Sequence, residues 1–180
     1  MCAETERDVD VERAIGTAWS VHTALGDWTG RVDGKASIFL TLESALLAAV
    51  VSSSGSDGRL AAKRLSSGLE NTTYWIGVGA LCGALILAAG VVVPQLRRWR
   101  TRKAGEEWRT NVVYFGHLRH WDPADLQREL LRQPEALESL SRQMVRMSKI
   151  SWRKHSWTQL SMLCALLGTG SIVLCLLLVR

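Results

Sequence analysis

The sequence predicts an all-α integral membrane protein with about three transmembrane helices and a helical cytosolic unit, and three observations lead there. No charged side chain occurs between Asn71 and Leu96 or between Ser156 and Val179. Each stretch exceeds the roughly 20 apolar residues that a helix needs to cross a hydrocarbon core about 30 Å thick. A third stretch of that length, Ala36 to about Ser54, is free of charge except for Glu43. Charge is also segregated along the chain: fourteen of the 22 Lys and Arg lie between Arg97 and Lys154, alongside seven acids, whereas residues 1–35 carry seven acids against four bases. The formal net charge of +5 hides this division.

Residues 1–35 read as an N-terminal cytosolic amphipathic helix, because Val11, Ile15, Ala18, His22, Leu25 and Val32 recur at spacings of three and four, interrupted only around Gly26 to Gly30. Residues 36–54 form the first span. A signal peptide is a poor reading of it, since about 35 mostly polar, acidic residues precede it and no basic region opens the chain. Residues 55–73 form an external loop, entered through the Ser-, Gly- and Asp-rich turn Ser52 to Gly58. Residues 74–96 form the second span.

Residues 97–156 form a basic helical cytosolic segment. Its first helix passes through Trp99 and Trp108 to Phe115 and ends at Gly116. Asp122 before Pro123 is a strong helix start, with a carboxylate cap, proline at the first helical position and Asp125 in the first turn. Leu126, Leu130 and Leu131 are expected to form its buried face. A break at Gln133 and Pro134 leads into a helix with Leu137, Leu140, Met144, Met147 and Ile150 at helical spacing, which continues into the third span, residues 157–179. The acidic N-terminal helix and the basic Glu135 to His155 helix are expected to extend spans one and three into the cytosol and to pack together. Arg97, Arg98, Arg100, Arg102 and Lys103 follow span two, and Arg153 and Lys154 precede span three. The positive-inside rule therefore puts the N-terminus and residues 97–156 in the cytoplasm and the Ser52 to Thr73 loop and Arg180 outside.

Most catalytic chemistries are excluded. Asp33-Gly34-Lys35-Ala36-Ser37 fails as a phosphate-binding loop, since Thr29 stands where that motif needs glycine and Ala36 where it needs Ser or Thr. His117 and His120 have no third ligand in view, so no metal site is expected. Cys2, Cys82, Cys164 and Cys175 form no paired motif and read as small apolar fillers. No nucleophile has a visible base, so the chain reads as no enzyme, with no cofactor. Two features remain. Glu43 sits inside a span, where a carboxylate costs at least ~2.5 kcal/mol unless paired, protonated or wetted. It is either a pore-facing or gating acid, or a protonated acid bonded to a Ser or Thr of a neighbouring helix. The second feature is a mixture of aromatic and cationic groups in residues 97–156, suited to a nucleotide and, more readily on composition alone, to anionic lipid and the membrane interface. Gly79 and Gly83, Ala45 and Ala49, and Gly168 and Gly170 are small-residue pairs suited to packing within the chain or to a homo-oligomer.

Val32 to Leu42, VDGKASIFLTL, resembles the Ala-Asp-x-Lys-Ala-Ser-hydrophobic signature that introduces the first span of the Pycsar transmembrane effectors, with Val32 in place of alanine. Asn111 to Leu126, NVVYFGHLRHWDPADL, is similar to that family's Tyr-Phe-Gly segment followed by a Pro-capped helix. Asp33, Lys35 and Ser37, with Tyr114, Phe115 and Gly116, carry these motifs. The resemblance implies an anti-phage effector whose partner is a uridylate or cytidylate cyclase. It would sense cyclic UMP or cyclic CMP and impair the bacterial inner membrane, so that the cell stops growing or dies before phage are released. If that holds, residues 97–156 are expected to sense the messenger, and the chemistry of their side chains offers some of Arg119, Lys149 and Arg153 for the cyclic phosphate and Tyr114 or Trp121 for the pyrimidine. No nucleic acid partner is expected. The alternatives are a ligand-independent, holin-like membrane toxin and a scaffold that binds anionic lipid or an acidic protein.

Overall fold

A computed structural model of the chain describes residues 2–55, 58, 60, 68–93, 118, 120–131 and 133–179. Four helices account for nearly all of them: α1, Cys2–Ser53; α2, Gly68–Val92; α3, Pro123–Leu130; and α4, Gln133–Leu178. There is no strand among the described residues. α1 runs unbroken through Gly26, Gly30 and Gly34, and α4 joins the expected cytosolic helix and third span into one rod. α2 starts at Gly68, inside the stretch expected to be loop, and the hydroxyls of Thr72 and Thr73 donate to the carbonyls of Gly68 and Leu69 and so are satisfied within the helix.

The chain divides into two compact units, one of Met1–Gly30 with Gln95–Trp152 and one of Arg31–Pro94 with Arg153–Arg180. The first unit holds the leading parts of α1 and α4. Among its described residues, Ala18 and Leu25 of α1 and Ser139, Leu140 and Gln143 of α4 are buried. α3 also belongs to it and starts as read: Asp122 Oδ1 accepts from the Ala124 backbone N–H at 3.0 Å. The expected burial of Leu126, Leu130 and Leu131 is not found. α3 buries none of its residues, and Leu130 and Leu131 are exposed, since no described element covers the apolar side of this two-turn helix.

The second unit is a three-helix bundle whose pairing can be read from its contacts. α4 meets α2 antiparallel, at Trp157 with Gly90, Ser161 with Ala84, Gly168 with Gly77 and Cys175 with Glu70. α4 meets α1 in parallel, at Lys154 with Asp33 and Ser161 with Glu43. These α4 positions, Lys154, Ser161, Gly168 and Cys175, are seven residues apart, as are Ala36, Glu43 and Val50 on α1 and Gly77, Ala84 and Val91 on α2, all buried. A seven-residue period keeps one seam of each helix facing its neighbours. One end of the bundle is closed by an apolar cluster of Val50, Leu60, Leu81, Ile172 and Cys175 and by a 2.9 Å hydrogen bond between the hydroxyls of Ser54 and Tyr74.

Polarity in this unit is inverted relative to a protein in water. Ser161 and Glu43 are almost fully buried, while Leu166, Leu167, Ile86 and Ile38 are more than 60% exposed. A water-soluble bundle buries such apolar side chains. A bilayer removes that requirement and instead forces polar groups to face protein. The three long helices are each long and apolar enough to cross a membrane, and together with this inversion they are consistent with a membrane location.

Candidate functional site

The second unit brings two polar contacts together along its seam. Towards one end, Lys154 Nζ donates to both carboxylate oxygens of Asp33, at 2.6 and 2.7 Å. The lysine side chain is only 10% exposed and the aspartate 38%. The seven-residue register of α4 places Lys154 inward, and the trailing part of Asp33-Gly34-Lys35-Ala36-Ser37 sorts by helical spacing. Asp33 and Ala36, three apart, face the bundle, and Ala36 is fully buried. Lys35 and Ser37 are exposed, and the Ser37 hydroxyl bonds back to the Asp33 carbonyl at 2.9 Å. Nothing placed here uses Lys35 as a ligand to another side chain.

About 15 Å along α1 from Asp33, at 1.5 Å per residue, Glu43 enters the same seam. Its Oε1 lies 2.6 Å from Ser161 Oγ, which also lies 3.0 Å from the backbone carbonyl oxygen of Ala84. One hydroxyl thus joins all three helices. Glu43 Oε2 is buried and has no hydrogen-bond partner. Of the two readings open for Glu43, the structure shows the serine neighbour on another helix that the second one names, and a residue that faces protein, as both require.

The candidate ligand residues are placed less completely. Tyr114, Phe115, Gly116 and Arg119 lie outside the described residues, as does His117. Trp121, just before the Asp122 cap, is half-buried, and its backbone N–H donates to the Leu118 carbonyl at 3.1 Å. Lys149 is exposed on α4. Trp121 and Lys149 belong to the first unit and Arg153 to the second, where the Arg153 Nε is buried without a partner. Two contributors to the seam were not among the site residues expected from sequence: Lys154, which falls in a basic run that reads as a topology signal, and Ser161, an ordinary residue for an apolar span. Their shared signal is the seven-residue spacing.

Small residues set how closely the helices approach. A methyl group at Gly168 would lie 3.0 Å from the Gly77 carbonyl oxygen and the Leu81 nitrogen, and one at Gly90 would meet the Trp157 ring at 2.7 Å. Gly79, Gly83 and Gly170 have open space where a side chain would project. The α2–α4 approach therefore uses Gly77 and Gly168, whereas no described residue packs where a side chain at Gly79 or Gly83 would project.

A family model described as the Pycsar effector protein domain matches residues 17–180, nearly the whole chain. This chain belongs to the Pycsar effector family. The match spans the first-span motif around Asp33, the bundle of the second unit and all of α3 and α4. No curated protein and no solved structure matches the chain. Membership places this Pycsar effector in anti-phage defence and implies partnership with a cyclase that makes a cyclic pyrimidine nucleotide.

Proposed function

We propose that this Pycsar effector resides in the bacterial inner membrane, senses cyclic UMP or cyclic CMP made by its partner cyclase, and impairs the membrane so that the infected cell stops growing or dies before phage are released. The observation that carries this reading is the inverted bundle of the second unit. Its apolar side chains face outward, and its helices are joined along the seam by two polar contacts, Asp33 with Lys154 and Glu43 with Ser161. In lipid such contacts, unlike apolar ones, are costly to separate unless water or headgroups replace them, so they hold the helices in one defined arrangement. Fourteen bases between Arg97 and Lys154 put that segment and the N-terminus on the cytoplasmic side, where the messenger is made. No catalysis by this chain is involved, and no metal or cofactor takes part.

In this mechanism Arg119, Lys149 and Arg153 are the candidates for the cyclic phosphate, and Tyr114 and Trp121 for the pyrimidine face. The ligand shifts the membrane helices only by the difference in its affinity for the resting and damaging states. Calorimetric titration of the detergent-solubilised protein with cyclic UMP, cyclic CMP, cyclic AMP and cyclic GMP tests it. Micromolar or tighter binding of one pyrimidine, about 8 kcal/mol, is the expected result. Arg119→Ala should abolish that binding and leave membrane insertion intact, and unchanged affinity removes Arg119 from the site. Failure of all four nucleotides to bind folded protein favours the ligand-independent toxin, which depolarises cells without any cyclase, or the scaffold, which does not depolarise them.

A further inference from the structure

The contacts of Ser161 contain a hydrogen-counting problem. A serine hydroxyl has one hydrogen, and a carbonyl oxygen and an ionised carboxylate are acceptors only. Ser161 Oγ nevertheless lies within hydrogen-bonding distance of both Glu43 Oε1 and the Ala84 carbonyl, at 2.6 and 3.0 Å. With an ionised Glu43 one of these close oxygen pairs would hold no hydrogen of its own. The charge would also be stranded, because Glu43 Oε2 is buried with no partner. A buried carboxylate is tolerated where a cation or several donors surround it.

No such group lies beside Glu43 among the described residues. α2 has no Lys, Arg or His anywhere in Gly68–Val92. On α4 the nearest inward cation is Lys154, two turns from Ser161 and held by Asp33. On α1, Lys35 is exposed. The other titratable groups of this bundle among the described residues are Arg31 and His155, which are exposed, Arg153, half-buried beside Lys154 and eight residues from Ser161 with its Nε unpartnered, Tyr74, Glu70 and Cys175 towards the opposite end, and the half-buried Cys82 and Cys164.

We infer that Glu43 is held as a neutral carboxylic acid whose hydrogen, on Oε1, is donated to Ser161 Oγ, while Ser161 donates in turn to the Ala84 carbonyl, closing a hydrogen-bonded latch across α1, α4 and α2. Each hydrogen then has one acceptor, and no charge lies between the helices. The latch exists only with its proton. Loss of the proton leaves Ser161 with one hydrogen for two acceptors and gives the carboxylate a reason to reach water, which inside this bundle requires α1 to part from α2 and α4. Glu43 thereby makes closure of the bundle depend on a proton bound in the seam, whether or not a nucleotide is the trigger.

Infrared spectroscopy of the full chain in phosphatidylcholine vesicles at neutral pH, with and without glutamate labelled with carbon-13 at the side-chain carboxyl, tests this directly. The expected result is a protonated-carboxyl C=O band that moves with the label, is lost in Glu43→Gln, and shifts to higher frequency in Ser161→Ala, where the acid keeps its hydrogen and loses its acceptor. Absence of a label-sensitive band in the unmodified protein overturns the inference, and so does a band that survives Glu43→Gln or is unmoved by Ser161→Ala. The labelled unmodified protein decides the matter even where a variant fails to fold. Because no nucleotide is added, a negative result leaves the messenger reading standing.

Discussion

Gly168→Val is expected to destabilise the membrane bundle by about 1–3 kcal/mol, the usual cost of forcing extra volume into a packed interface, with Gly168→Ala less severe. A Cβ at Gly168 would stand 2.8 Å from Leu81 Cγ and 3.0 Å from two backbone atoms of α2, the Gly77 oxygen and the Leu81 nitrogen. A flexible side chain can turn aside, whereas backbone can yield only by moving a helix. The approach is reciprocal, since a Cβ at Gly77 would meet the Gly168 oxygen at 3.1 Å and Ile172 at 2.8 Å. Gly79→Ala is the control, because no described residue lies near that position. It is expected to be neutral or stabilising by up to about 1 kcal/mol through helix propensity. Denaturation of the detergent-solubilised protein measures all three. Equal losses at Gly79 and Gly168 would mean that α2 and α4 do not meet through Gly77 and Gly168. A Gly79 effect that appears only in assembled protein would instead mark a contact between copies.

The spans, the helical class and the N-cap at Asp122 are legible in the sequence because each depends on local chemistry. Absence of charge over 20 or more residues marks a span wherever the helix packs, and an Asp-Pro pair caps a helix by bonds made within two residues. The seams were legible only in part. In the leading half of α1 the stripe through Ala18 and Leu25 is apolar against a polar background, and it emerges as periodicity. In the membrane-spanning part of α4 the contrast is reversed. The inward positions Lys154, Ser161, Gly168 and Cys175 are polar or small, and the outward ones are leucines. A search for recurring apolar residues finds the lipid face there and passes over the seam. The exposed leucines of α3 show the opposite failure: helical spacing identifies an apolar side, but only a partner element turns that side into a core.

The candidate site was legible to a similar degree. Glu43 stood out, because a carboxylate in a span must face protein, but its partner could not be named, since Ser161 lies 118 positions away in the chain and is one of several hydroxyl residues in apolar stretches. Asp33 stood out as part of a motif. Why an aspartate is placed there became clear only with its lysine, 121 positions further on. The ligand candidates rest on chemistry that anionic lipid could equally use, and sequence order alone does not bring them to one place.

Removing Asp33 is expected to harm the bundle more than removing Lys154, although the two form a single ion pair. The reason is their difference in exposure. Lys154 is 10% exposed, so Asp33→Ala leaves an ammonium with little water around it, whereas Asp33 is 38% exposed and remains partly hydrated in Lys154→Ala. Exposed ion pairs contribute roughly 0–1 kcal/mol, and breaking a buried one by removing a single partner costs about 3–5 kcal/mol. This pair lies between those limits, so a loss of about 1–3 kcal/mol for Asp33→Ala is expected, with less for Lys154→Ala. The lysine stem can reduce the difference by carrying its charge towards the interface. The double variant removes both charges and should be more stable than Asp33→Ala alone, giving a coupling energy above about 0.5 kcal/mol in a double-mutant cycle. The exchange Asp33→Lys with Lys154→Asp should recover part of the loss, because it restores the attraction while placing the charges in reversed environments. Additive single effects, or a larger loss for Lys154→Ala than for Asp33→Ala, would show that Asp33 acts within its own helix and does not join α1 to α4. The same variants link the seam to the proposed activity. If this pair holds the resting bundle closed, Asp33→Ala should permeabilise cells that lack the cyclase more than the unmodified chain does, and by linkage should bind the messenger at least as tightly.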